Sequence, residues 1–177
     1  MRIIAGSLGG RQFDAPSGHK THPMSEKARG GLFNALGDIS GLAVLDAFAG
    51  SGGLSLEAVS RGASYATAID IDKSANTSVV KAVEKLDISG QVKAIRANVG
   101  TWSDNNTDMM FDIVLCDPPY DDVRPALLEK LANHAKSGGI VVFSLPPSMS
   151  ISLTSSFQLL TTNSYGDAQL VFYRRAA

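Results

Sequence analysis

Two rhythms of apolar residues alternate along the chain. Short apolar runs of strand length occupy 43–48, 65–71, 91–96, 112–116 and 140–145. Between several of them, apolar side chains recur three to four positions apart, as helices require. The predicted helices cover 26–36, after Ser25 and with Ala28, Leu32, Phe33 and Leu36 in phase, then 54–61, 74–86 and 124–135. Gly37, Gly62 and Lys136-Ser137-Gly138-Gly139 read as their stops. Such alternation predicts an α/β fold with a parallel sheet covered on both faces. Two more apolar runs, 157–162 and 169–173, have no helix between them and predict an antiparallel hairpin at one side of a seven-stranded, mostly parallel sheet. Upstream, Ile3-Ile4-Ala5 and Gln12-Phe13 flank Gly9-Gly10, so a β-hairpin is expected over 2–15, followed by a loop at 15–23. The reading is one domain over 1–177, with 1–23 as hairpin and loop and 24–177 as the core.

Composition narrows the function classes. At 177 residues with 44% hydrophobic and 19% charged positions, the chain has the make-up of a globular domain. Its net charge of -1 gives no global attraction to nucleic acid, but residues 1–36 carry +3 and the remainder -4. A locally basic arm on an acidic body suits a segment that contacts phosphates, and a charge-mixed, solvated terminus would look the same. Cys116 is the single cysteine, set inside an apolar strand, so a buried thiol is expected, with no disulfide framework. His19, His22 and His134 show no ligand spacing, and no metal is expected. No apolar run approaches membrane length and no signal peptide is evident, so a cytoplasmic location is expected.

The first candidate chemistry lies where the 43–48 strand gives way to a helix, at Asp46-Ala47-Phe48-Ala49-Gly50-Ser51-Gly52-Gly53. Glycines there allow a tight turn and a close ligand approach. The spacing differs from the G-x-G-x-x-G of dinucleotide sites, which disfavours a nicotinamide reductase. Asp46, Phe48, Ala49, Gly50, Ser51 and Gly52 are therefore candidate cofactor contacts. Asp70 ends the second strand, where a carboxylate can accept both ribose hydroxyls, with Ile71 beside it. Asp72 is either a second ribose contact or a helix cap. Asn98, after the third strand, can reach an adenine amine or close an Asx turn.

The second is Asp117-Pro118-Pro119-Tyr120, closing the apolar run 111–116. An aromatic amine is a poor nucleophile because its lone pair is delocalised into the ring. A carboxylate and a carbonyl accepting its two N–H bonds draw that nitrogen toward tetrahedral geometry. Asp117 and the Pro118 carbonyl are the candidate acceptors, with Asp117 also facing the cofactor. The two prolines fix the backbone, and Tyr120 offers a face on which a displaced base can stack. Together the pockets point to methyl transfer onto nitrogen.

Read in order, the chain resembles the RsmD-like family of small-subunit (16S) ribosomal RNA guanine-N2 methyltransferases over nearly its full length. The resemblance is carried by Arg2-Ile3-Ile4-Ala5-Gly6 with Gly10-Arg11, by the stretch from His22-Pro23-Met24-Ser25-Glu26 to Asn34, by Asp46 to Gly52, by Asp117 to Tyr120 and by Tyr165-Gly166-Asp167. It implies a Rossmann-like class I fold, S-adenosylmethionine as methyl donor, and ribosomal RNA of the small ribosomal subunit as partner, with a monomer expected. Arg2, Arg11, Lys27 and Arg29 would grip RNA phosphates, or Arg29 would turn toward the cofactor. Where the family usually reads Arg-Pro-Thr and then an acid two residues on, this chain has His22-Pro23-Met24-Ser25-Glu26, and a family carboxylate after the fifth strand corresponds to Ser144. The Asp-Pro-Pro-Tyr signature is shared with adenine-N6 methyltransferases. The alternatives are therefore that activity on DNA or RNA, or an inactive cofactor-binding assembly protein.

Overall fold

The computed structural model describes residues 1–18 and 23–177; His19, Lys20, Thr21 and His22, which the sequence reading placed in the 15–23 loop and the basic arm, lie outside the described residues. Helix α1 (Glu26–Leu36) opens the core. It is followed by β1 (Ala43–Asp46), α2 (Gly53–Ser60), β2 (Tyr65–Asp70), α3 (Lys73–Lys85) and β3 (Val92–Arg96). The chain continues through α4 (Val99–Asn105), β4 (Phe111–Cys116), α5 (Pro125–Ala132), β5 (Ala135–Leu145), β6 (Phe157–Tyr165) and β7 (Ala168–Arg175). The seven strands lie in the order β3-β2-β1-β4-β5-β7-β6. The first five in that order run parallel, and β7 joins β5 and β6 antiparallel. This is the α/β sheet predicted from the alternating pattern, in the Rossmann-like class I form that the resemblance implied.

The two-residue period of each strand sorts its side chains between two cores. Val44, Ile113 and Leu115 face one side, packed with apolar residues of α1, α2 and α3. Leu45, Val114 and Cys116 face the other, against α4 and α5. Ser25 caps α1 by accepting from the Ala28 amide at 3.1 Å, and Gly37 ends it at φ 75°. Asp72 caps α3 through the Ala75 amide at 2.8 Å, so the helix-cap reading of that residue is what the structure holds.

Three elements differ from the sequence reading. The amino-terminal hairpin is an isolated bridge, Arg2 with Gln12, supported by hydrogen bonds of the Ile3, Gly10 and Phe13 amides between its two limbs. Helix α4 was not expected: Gly, Thr, Ser, Asp and Asn fill most of it, and only Val99 and Trp102 supply an apolar face. Helix α5 stops at Ala132, and Lys136 to Gly139 belong to β5 as a bulge, between the pairs Phe111–Ala135 and Ile113–Ile140.

Candidate active site

Parallel strands present their carboxyl ends at one edge, and the order reverses between β1 and β4, which opens a crevice there. Asp46 ends β1 and Asp117 follows β4, one on each side of that crevice. Asp70 ends β2 at the same edge. The sequence-predicted residues of both pockets are thus brought together by topology alone.

The glycine turn is strung between the neighbouring strands. The Ala47 amide donates to the Leu115 carbonyl at 3.0 Å, the Ala49 amide to Ile69 at 2.9 Å, and the Gly50 amide to Asp70 Oδ2 at 2.8 Å. Gly50 (φ 51°) and Gly52 (φ 81°) take left-handed conformations, and a Cβ on Gly52 would come within 2.9 Å of Val79 Cγ2 on α3. Asp70 spends its other oxygen on the Asp72 amide at 2.9 Å, so ribose hydroxyls would use its remaining lone pairs. Ile71, next to it, is 62% exposed, an apolar surface at the pocket's edge. Asn98 is exposed, but its Oδ1 accepts from the Thr101 amide at 3.1 Å as the cap of α4. Only its amide nitrogen remains to meet a base.

Asp46 is fully buried. Its Oδ2 accepts from the Ser55 amide at 3.2 Å and the Ser55 hydroxyl at 2.8 Å, while Oδ1 has no partner among the described residues. Burial pushes its carboxyl up to about 7, against the Ser55 hydrogen bonds and with help from the Asp117 and Asp70 charges. Burial likewise raises Asp117 to about 6, and a hydrogen bond from Ser144 lowers it. Cys116, sealed in the second core, has its thiol pushed up by burial and is no nucleophile.

Tyr120 leaves 38% of its surface open and places its hydroxyl 2.8 Å from Ser144 Oγ. Ser144 is itself buried near the end of β5, opposite Leu170 of β7. The residue that stands where the resemblance puts a family carboxylate therefore hydrogen-bonds Tyr120 and acts on the Asp117 carboxyl. In the sequence Ser144 stands out only as a departure from the family pattern and not as a candidate site residue, although it lies one residue before the end of a buried strand. The β6–β7 turn, Gly166-Asp167, reaches the same edge, since Leu145 pairs with Gln169, and the Asp167 charge acts on Tyr120.

The predicted RNA-gripping residues separate. Arg11 and Lys27 are exposed. Arg2 is exposed but held by Glu26 in a forked pair at 3.0 to 3.1 Å. Arg29 is a correction: it is 2% exposed, because it shares the inward face of α1 with Ala28, Leu32 and Phe33, and it cannot reach an RNA phosphate. Its ion-pair partner is Glu57 of α2, which is fully buried and also accepts from the Ile4 and Ala5 amides. Among the described residues no group of three His, Cys, Asp or Glu side chains is gathered as for a metal, and no helix is long and apolar enough to cross a membrane.

Residues 1–174 match the family described as "Conserved hypothetical protein 95". The chain belongs to that family, the RsmD-like methyltransferases. It is 35% identical over 132 residues to "Ribosomal RNA small subunit methyltransferase D" of Buchnera aphidicola subsp. Acyrthosiphon pisum, covering 74% of this chain and 67% of that protein. It is 34% identical over 141 residues to the protein of the same name from Escherichia coli K12, covering 78% and 68%. Among solved structures, yhhF of Escherichia coli matches with a TM-score of 0.88 at 26% identity, over 100% of this chain and 98% of that one. As an RsmD-like chain it carries the glycine turn and the Asp-Pro-Pro-Tyr loop on the strands that topology makes adjacent.

Proposed function

We propose that this protein transfers a methyl group from S-adenosylmethionine to the exocyclic N2 of a guanine in 16S ribosomal RNA of the small ribosomal subunit or its assembly intermediate. In this reading residues 1–177 work as one cytoplasmic, monomeric methyltransferase domain. The observation that carries it is the Asp117–Tyr120 loop after β4, with Tyr120 anchored to Ser144 of β5, across the crevice from the glycine turn. The names of its relatives support ribosomal RNA as the acceptor class.

The residues present suit the cofactor. Left-handed glycines leave the turn open, Asp70 offers lone pairs to a ribose, Ile71 offers an apolar face, and the unpartnered Asp46 Oδ1 favours a cationic neighbour. When bound, S-adenosylmethionine supplies an electrophilic methyl on a sulfonium. Asp117 and the Pro118 carbonyl accept the two N–H bonds of the guanine amine and aim its lone pair, and Tyr120 stacks on the displaced base, worth roughly 1–3 kcal/mol. The proton that the nitrogen sheds has an acceptor in the Asp117 carboxylate, raised to about 6 and thus matched to neutral conditions. Arg11 and Lys27 contact phosphates, and Arg2 does so only on releasing Glu26.

The test is methyl transfer from labelled S-adenosylmethionine to unmodified small-subunit particles, stripped 16S RNA, transfer RNA and duplex DNA, followed by nucleoside mass spectrometry. N2-methylguanosine from particles or 16S RNA is expected. N6-methyladenine would move the protein to the adenine class, and cofactor binding without transfer to any acceptor would make it an assembly factor.

A further inference from the structure

The Asp117–Tyr120 loop does not by itself tell one base from another. Guanine and adenine both carry an exocyclic amine whose two hydrogens suit the Asp117 carboxylate and the Pro118 carbonyl. They differ at the neighbouring ring nitrogen: N1 of guanine donates a hydrogen, whereas N1 of adenine presents a lone pair. A site for guanine therefore needs one more acceptor beside the amine, and a carboxylate there also repels the adenine lone pair. Ser144 is already engaged with Tyr120, and Asp122 is held by Arg124 in a forked pair at 2.9 to 3.0 Å. Asp167 is exposed in the β6–β7 turn and, among the described residues, has no hydrogen-bond or ion-pair partner. Its carboxylate is not spent on closing its own turn, the ordinary use of Asp in a hairpin; Gly166, at φ 61°, makes the bend. Strand register places it at the acceptor edge. Ser144 pairs with Leu170 and Leu145 with Gln169, so Asp167 lies two residues past that last pair, about 7 Å along the strand. Asp117 and Asp167 are the two carboxylates whose charges act on the Tyr120 hydroxyl. The turn is also fixed in position. Tyr165 lies against the middle of α1, where a Cβ on Gly31 would stand 2.6 Å from its Cε1. Glycine inside a helix costs about 1 kcal/mol relative to alanine, and here it opens the seat for that ring.

We propose that Asp167 is the residue that selects the base: its carboxylate accepts the N1 hydrogen of guanine while Asp117 and the Pro118 carbonyl hold the N2 amine. This deepens, and rests on, the guanine-N2 reading. A charged acceptor on a neutral donor makes a strong hydrogen bond, and it forms with guanine alone of the two purines. Tyr165 is a positioning residue in this view. By seating on Gly31 it ties the turn to α1, so that an exposed carboxylate is held at a defined place.

The test is methyl transfer to small-subunit particles reassembled on 16S RNA that carries, at the methylated position, either guanine or 2-aminopurine. The second base keeps the 2-amino group and lacks the N1 hydrogen. The wild type is expected to favour guanine by roughly ten- to hundred-fold in kcat/KM. Asp167→Ala should bring the two rates together by losing guanine transfer, with S-adenosylmethionine affinity unchanged by calorimetry. Asp167→Asn, which keeps an acceptor oxygen, should retain part of the preference. Asp121→Asn, at the exposed carboxylate beside Tyr120, should retain all of it. Equal wild-type rates on the two bases would overturn the assignment whether or not the variants fold, as would an Asp167→Ala protein that keeps the preference. Failure to form N2-methylguanosine on any acceptor would instead remove the guanine reading, and this one with it.

Discussion

Ser144 Oγ stands 2.8 Å from the Tyr120 hydroxyl, so one buried hydroxyl on β5 ties the end of the Asp117–Tyr120 loop to the sheet, and the same serine lowers the Asp117 carboxyl. A loop closed by two prolines is stiff along its backbone, but its side chains still need an anchor. Ser144→Ala removes it. Methyl transfer should fall about 5- to 30-fold in kcat/KM, equivalent to roughly 1–2 kcal/mol, with S-adenosylmethionine affinity unchanged by calorimetry.

In the proposed reading, Asp117 sets the acid limb of the activity. Burial pushes its carboxyl up to about 6, and the ionised form is the one that accepts its amine hydrogen strongly and can take up the shed proton, so the rate should drop as pH falls through 6. Asp117→Asn should lose about 10²- to 10³-fold in kcat and show no such step, while binding cofactor nearly as well. A pH profile of both proteins reads this out.

Asp46 gives stability the opposite slope. Its folded value of about 7 exceeds the ordinary 3.8, so between those values the folded state binds more protons than the unfolded one. This contribution is present at low pH and is lost as pH rises from about 4 through 7. Denaturant melts of the ligand-free protein should show Asp46→Asn gaining stability relative to the wild type between pH 5 and 8.

Glu57 is the pin of the amino-terminal segment, fully buried and bonded to Ile4, Ala5, Arg61 and Arg29. Glu57→Gln leaves the buried Arg29 without its counter-ion. It should cost roughly 3–5 kcal/mol in urea unfolding, far more than breaking the exposed Arg2–Glu26 pair by Glu26→Gln.

The strands and the two motif turns were legible in the sequence because each has a local cause. Apolar runs bounded by glycine or an acidic residue fix β1, β2 and β4, and their ends carry Asp46, Asp70 and Asp117. What stayed hidden depends on partners distant in the chain. Lys136 to Gly139 look like a turn, yet they bulge out of a strand because Ala135 pairs with Phe111, while Lys136 Nζ reaches Asp112 at 3.2 Å. Ser103 and Trp102 make a helix worth forming only once His134 bonds the serine at 2.8 Å and stacks near the tryptophan. Arg29 reads in sequence as an RNA contact or one turned toward the cofactor, although its spacing from Leu32 and Phe33 already puts it on the apolar face.

Because the strand order turns over between β1 and β4, the glycine turn and Asp70 hang from one half of the sheet, and Asp117, Tyr120 and Ser144 from the other. The halves meet through a seam of backbone pairs from Val44–Ile113 to Asp46–Leu115. In the proposed reading, donor and acceptor recognition can consequently diverge at separate rates. Substitutions in the loops after β4 and β5 can retarget the enzyme to a new base while the nucleoside half is inherited intact.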